Sequence, residues 1–144
     1  MAIQTAERSS HLDPSENVIF QRHMIAYNQA AKLISGTVLE IGCGEGYGME
    51  ELAKYSTRYI GVDKFETNIP KSVKDNNDVV FHKMEIPPLD NIEANSIDFV
   101  VTFQVIEHIE DDNYFLKEIY RVLKPGGKLL LTTPNKLMSL SRNP

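Results

Sequence analysis

The sequence is short of cysteine, of positive charge and of long apolar runs, and each shortage removes a class of function. Cys43 is the single cysteine, so no disulfide can form within the chain. Lys and Arg number 15 against 20 Asp and Glu, for a formal net charge of -5. That balance argues against a polyanionic partner, because phosphate backbones and anionic membrane surfaces are held by clustered Lys and Arg. No apolar stretch approaches the roughly 20 residues that cross a bilayer. The opening residues, Met1 to Arg8, lack the charged-then-apolar order of a secretory leader. The expectation is a cytoplasmic protein with neither a nucleic-acid nor a membrane partner.

What is present suits one domain: 144 residues, 42% of them hydrophobic, can bury one sizeable core. Residues 1–12 are polar and aperiodic and read as a flexible N-terminal segment. Residues 13–36 read as a helix that packs on the domain. Asp13-Pro14-Ser15-Glu16 has the form of a capping box, and Phe20, Met24, Tyr27, Ala31 and Ile34 recur on one helical face. The remainder, 37–144, alternates strands with helical patterns. Strands are expected at Thr37 to Ile41, Arg58 to Val62, Val79 to His82, Ile97 to Phe103 and Lys128 to Thr133. Helices are expected over Tyr47 to Tyr55 and Asn113 to Leu123, the second stopped by Lys124-Pro125-Gly126-Gly127. The crossover from Lys64 to Asp78, with Pro70 inside it, predicts a short or broken helix. Alternation of this kind implies an α/β fold, a Rossmann-like doubly wound parallel sheet with strand order 3-2-1-4-5.

Four glycines fall between positions 42 and 48, directly after the first strand. In such a sheet that turn lies where ligands bind, and glycine lets backbone N–H groups approach an anionic group. The dinucleotide fingerprint Gly-x-Gly-x-x-Gly would need glycine at position 47, where this chain has Tyr47, which disfavours a nicotinamide-dependent oxidoreductase.

With glycines at 42, 44 and 46 and Glu40 two residues ahead, Val38 to Gly48 resembles motif I of the class I S-adenosylmethionine-dependent methyltransferases. Ile60-Gly61-Val62-Asp63, Ser96 to Val101 with Gln104 to Asp111, and Leu116 to Gly127 resemble further motifs of that family, in order, across most of residues 37 to 135. The resemblance implies S-adenosylmethionine as cofactor and methyl transfer to a small-molecule acceptor by in-line displacement. An alternative is a cofactor-binding module, or truncated domain, without catalysis of its own.

The same resemblance implies roles for single residues. Glu40 would face the amino group of the methionine moiety, and Gly42, Cys43, Gly44 and Gly46 would form the loop against the ligand. Asp63 would accept the ribose hydroxyls, Lys64 would lie along the adenine, Met84 would touch the adenine ring and Gln104 would line the methionine end. Lys83 stands where many relatives have an adenine-binding Asp, with Glu85 as the substitute. Tyr27 alone carries over from an Arg-Tyr pair on the N-terminal helix, as a lid contact. His108, after strand four, is the candidate general base, with a structural or gating role as the alternative, and His23 is a second histidine to weigh. The acids from Glu107 to Asp112 have a simpler reading than a metal site: Asp111 and Asp112 precede a helix whose N-terminus favours negative charge. Members of the family continue for two further strands. Strands six and seven are therefore expected to be absent here, which leaves strand five at an open edge that a homodimer partner, the folded-back tail or, in a longer protein, the absent strands would cover.

Overall fold

A computed structural model describes residues 17–46, 48–75 and 78–134. The capping box at Asp13 to Glu16, the flexible segment and the tail from 135 onward lie outside the described residues. The elements are α1 (Asn17–Ala31), β1 (Thr37–Ile41), α2 (Met49–Lys54), β2 (Arg58–Asp63), α3 (Lys71–Lys74), β3 (Val79–Lys83), β4 (Ile97–Phe103), a 3₁₀ turn (Ile106–His108), α4 (Asp112–Val122) and β5 (Leu123–Thr132). All pairings in the sheet are parallel, in the order β3-β2-β1-β4-β5, as the alternation of strands and helices implies. Among the described residues no helix is long and apolar enough to cross a membrane.

The crossover between β2 and β3 carries a single helical turn, α3, the short helix expected there, with Pro70 at its N-cap in an extended conformation. One local departure from expectation has a physical cause. The last strand begins at Leu123, five residues before the Lys128 expected from sequence. Leu123 pairs with Ile97 ahead of an irregularity, and Lys128 resumes the ladder opposite Phe99. Gly126, at φ 82, lets the intervening chain bulge outward.

Both faces of the sheet are covered, and strand alternation sorts the side chains between them. Leu39, Ile41, Ile60, Val62 and Val100 pack with Phe115, Ile119 and Val122 of α4 and with Leu89 and Ile92 of the β3–β4 connection. On the other face Val38, Tyr59 and Val101 meet Tyr27, Ala30 and Ile34 from α1 and its extension, Met49, Leu52 and Ala53 of α2, and Val73 of α3. The same alternation assigns Glu40, between Leu39 and Ile41, to the α1 face. A charged residue is thereby committed to a hydrophobic layer before any tertiary contact is considered.

The long β3–β4 connection is pinned to α4 by one side chain. Arg121 donates to both carboxylate oxygens of Glu118, at 2.8 and 3.1 Å, and to the carbonyls of Ile92 and Leu89, each at 2.9 Å. Glu118 in turn accepts the Leu89 N–H at 2.9 Å. The guanidinium holds the Glu118 carboxyl below the usual carboxylate range. Replacing Arg121 with Ala is expected to lower stability by about 2 kcal/mol, since it strands two carbonyls and a carboxylate. Arg121→Lys should restore less than half of that, because an ammonium cannot fork to planar acceptors. Urea denaturation of the three proteins measures both effects, and equal midpoints for Arg121→Lys and the wild type would exclude the pin.

Candidate functional site

The winding of the sheet reverses between β1 and β4, so the crevice for a ligand opens beyond the carboxyl ends of the central strands. The loop after β1 fills that position. Gly42, Gly44 and Gly46 all have positive φ, at 79, 59 and 86 degrees. At Gly42 a Cβ would stand 2.4 Å from Cγ2 of Val105, so the loop after β4 packs directly on the glycine turn. The turn is anchored to β2 as well: Gly42 and Cys43 donate their N–H groups to the Val62 carbonyl, at 2.8 and 3.3 Å.

Asp63 ends β2 beside this turn. Its Oδ2 accepts the Gly44 N–H at 2.8 Å and its Oδ1 accepts the Phe65 N–H at 2.9 Å, and the residue is 8% exposed. Two backbone donors thus fix the carboxylate plane. A carboxylate offers about four lone-pair sites, so a vicinal diol can add to this pair. Thr67, in the loop after β2, closes the far side. Its hydroxyl donates to the Gly44 carbonyl at 2.7 Å and lies 3.6 Å from the Cys43 sulfur. Cys43 itself is buried, so the loop contributes main chain at that position, with the thiol turned to Thr67.

Other residues singled out from sequence fall into two groups. Met84 donates its N–H to the Asp63 carbonyl at 2.9 Å, which ties the end of β3 to the acid, and its half-buried side chain packs toward the α4 face of the core. Gln104 follows the last residue of β4 at φ 59, a left-handed conformation uncommon for a residue with a side chain. Its N–H reaches the Thr132 carbonyl at 2.9 Å and its amide nitrogen the Thr132 hydroxyl at 3.3 Å. Strain of this kind, next to Val105 and the glycine turn, is often found at ligand sites. Lys64 and Glu85 are exposed, and Lys64 lies 5.2 Å from the Phe65 ring centre. Lys83 is also exposed, 3.8 Å from Glu66. His108 is exposed in the 3₁₀ turn, 3.9 Å from the Glu107 carboxylate. Asp111 caps α4, accepting the Tyr114 N–H at 3.0 Å, and among the described residues no group of three or more His, Cys, Asp or Glu is placed to hold a metal ion.

Glu40 is a buried acid whose protonation the site perturbs upward. It is 1% exposed, and its two oxygens accept the phenols of Tyr59, at 2.5 Å, and Tyr27. Burial pushes its pKa up to about 7, the two phenolic bonds oppose that rise, and the charge of Asp63 adds to it. Sequence reasoning missed Tyr59 altogether. Its trace was Gly61, which pairs with Glu40 across the β1–β2 ladder. A Cβ at Gly61 would sit 3.0 Å from the Tyr59 hydroxyl, so the bare position lets the phenol pass over to the acid.

The chain is similar to known proteins over most of its length. A family model described as a methyltransferase domain matches residues 39–131. A probable S-adenosylmethionine-dependent methyltransferase of Mycolicibacterium smegmatis is 39% identical over 136 residues, covering 92% of this chain and 52% of that protein. One of Mycobacterium tuberculosis is 38% identical over 143 residues, with 92% and 48% covered. The chain therefore spans about half the length of these relatives. Among solved structures, the N-methyltransferase NodS of Bradyrhizobium japonicum, in complex with S-adenosylhomocysteine, superposes with a TM-score of 0.67 at 20% identity, over 87% of this chain and 68% of that one.

The raised pKa of Glu40 has a consequence for stability. The folded state holds that proton more tightly than the unfolded chain, so the group's contribution is complete below about pH 4.5 and is lost as pH rises through about 7. Burial lowers the His23 pKa below 6.5, and its contribution runs the opposite way, lost as pH falls. Subtracting the Glu40→Gln profile from the wild-type profile isolates the acid. The difference should change by roughly 3 kcal/mol between pH 4.5 and 7.5. A flat difference in denaturant unfolding across that range would contradict the assignment.

Proposed function

Because the chain belongs to the class I S-adenosylmethionine-dependent methyltransferases, we propose that it binds S-adenosylmethionine across the carboxyl ends of β1 and β2 and transfers its methyl group to a small-molecule acceptor. The observation that carries this reading is the Asp63 carboxylate, oriented by the Gly44 and Phe65 N–H groups beside the glycine turn. A ribose presents two adjacent hydroxyls, which suit the two oxygens of one fixed carboxylate. The closeness of Val105 and Thr67 to the turn adds a second support, since it defines a cradle in which side chains at 42 and 46 have no room.

S-adenosylmethionine would supply the activation, a methyl group on a sulfonium whose carbon an in-line nucleophile attacks as the C–S bond breaks and the neutral thioether leaves. The protein's share is placement. Asp63 holds the sugar, the glycine turn runs along the ligand, Met84 lies toward the adenine and Gln104 lines the end where the acceptor enters. Placement can account for much of a rate enhancement when the reacting atoms are held in line. A base is needed only when the acceptor must lose a proton, and His108, exposed beyond β4, is the residue for that task. The net charge of -5 favours a small acceptor over a nucleic acid.

Calorimetric titration with S-adenosylhomocysteine tests the reading. The wild type should bind saturably. Asp63→Asn, which keeps the shape but accepts on one oxygen, should bind about 10- to 100-fold more weakly, as expected for losing one or two charge-assisted hydrogen bonds. Absence of wild-type binding at millimolar ligand, or an Asp63→Asn affinity equal to wild type, removes the proposal. A methylation assay over small O, N and C acceptors then separates an enzyme from a module that only binds.

A further inference from the structure

Glu40 raises a question that the cofactor reading leaves open. Both of its oxygens are taken by phenols of the protein and the residue is 1% exposed, so its carboxylate is already engaged from two sides. One of those phenols, Tyr27, belongs to α1. Tyr27 is 5% exposed, and its ring stands over the first turn of α2, where a Cβ at Gly48 would fall 2.2 Å from the ring carbons. The ring also meets Phe103 at the end of β4 edge-on, with centroids 5.2 Å apart and planes at 70 degrees. One side chain of α1 therefore touches the ends of β1 and β4 and the start of α2, the elements that frame the glycine turn. Gly48, the fourth glycine of the cluster, makes room for the Tyr27 ring.

We propose that Glu40 is a positioning residue: through the Tyr27 phenol it seats α1 against the glycine turn, and it does not itself touch the cofactor. The placement of the cofactor rests on the reading above, but the seat of α1 does not. Tyr59, Tyr27 and Asp63 are the titratable groups that surround the acid, from β2, α1 and the end of β2. Of these, Tyr59 shares the carboxylate from within the sheet, and Tyr59→Phe removes that bond while keeping the ring that packs in the α1 layer. That division makes the two phenols separable by mutation.

The experiment uses the full chain and two readouts. Hydrogen exchange on the ligand-free protein follows the amides of α1 over residues 17–31. Tyr27→Phe keeps the ring over Gly48 and loses only the bond to Glu40, so exchange in α1 should rise about tenfold, whereas Tyr59→Phe should leave it near wild type. Glu40→Gln should match Tyr27→Phe, and the double variant should add little to either single change. The second readout compares affinity for S-adenosylhomocysteine with that for 5′-methylthioadenosine, which lacks the amino-acid tail. A seat predicts that Glu40→Gln weakens both ligands by a similar factor, about three- to tenfold, and that Tyr27→Phe does the same. If Glu40→Gln weakens only S-adenosylhomocysteine while α1 exchange is unchanged, the acid acts directly on the ligand's amino group and the proposal is wrong. Equal acceleration by Tyr59→Phe and Tyr27→Phe also overturns it, since general loosening of the core would produce that. Should neither ligand bind the wild type, the cofactor reading fails alone, and the exchange data still decide whether α1 is held by Glu40.

Discussion

A carboxylate enclosed in an apolar layer is the constraint around which this structure is arranged. Strand alternation turns Glu40 into the space between the sheet and α1, where an unpaired charge would cost several kcal/mol. The cost is offset by two phenols, and the surrounding chain is shaped to deliver them. Tyr59 reaches Glu40 because Gly61 leaves its path bare, and Tyr27 reaches it because Gly48 leaves room for the ring. Removing any one of these four partners leaves the acid worse satisfied, so the glycines and tyrosines form one unit with it.

The two acids at the ends of β1 and β2 have different surroundings. Glu40 is held by side chains from two elements, α1 and β2, and faces into the helix layer. Asp63 is held by backbone N–H groups of the turns on either side and faces the crevice. Each acid accepts one hydrogen bond on each oxygen. The Asp63 donors are main-chain groups beside the glycine turn, with the acid 8% exposed, whereas the Glu40 donors are phenols of the helix layer, with the acid 1% exposed. The first arrangement suits the gripping of a ligand and the second suits the fastening of a helix. Proximity links the two, since the charge of Asp63 helps to raise the pKa of Glu40.

Membership of the methyltransferase family accounts for the glycine turn, the acid after β2 and the order of the sheet. The curated relatives are about twice as long, and β5 stands at one end of the described sheet with Leu129, Leu130 and Leu131 half-buried. The residues that bind the cofactor in the proposed reading come from the portion shared with those relatives. Above β4 and β5, Gln104 adopts its left-handed conformation against Thr132.

Much of the architecture was legible in the sequence because it rests on local pattern. Five apolar runs separated by helical or turn signals gave five strands, and their alternation with helices implied a parallel sheet with the glycine turn at its reversal. The glycine spacing and the acid at 63 carried the resemblance to the methyltransferase family, which the family model over residues 39–131 supports. The partners of Glu40 were not legible, because Tyr27 and Tyr59 lie 13 and 19 residues away on separate elements and no periodicity links them. For the same reason Gly48 and Gly61 looked like parts of ligand or strand motifs, when packing made them spaces for tyrosine rings. A one-dimensional pattern states which face a residue takes. Only the folded chain states what stands opposite it, and for a buried charge that neighbour decides whether the group meets a ligand or fastens a helix.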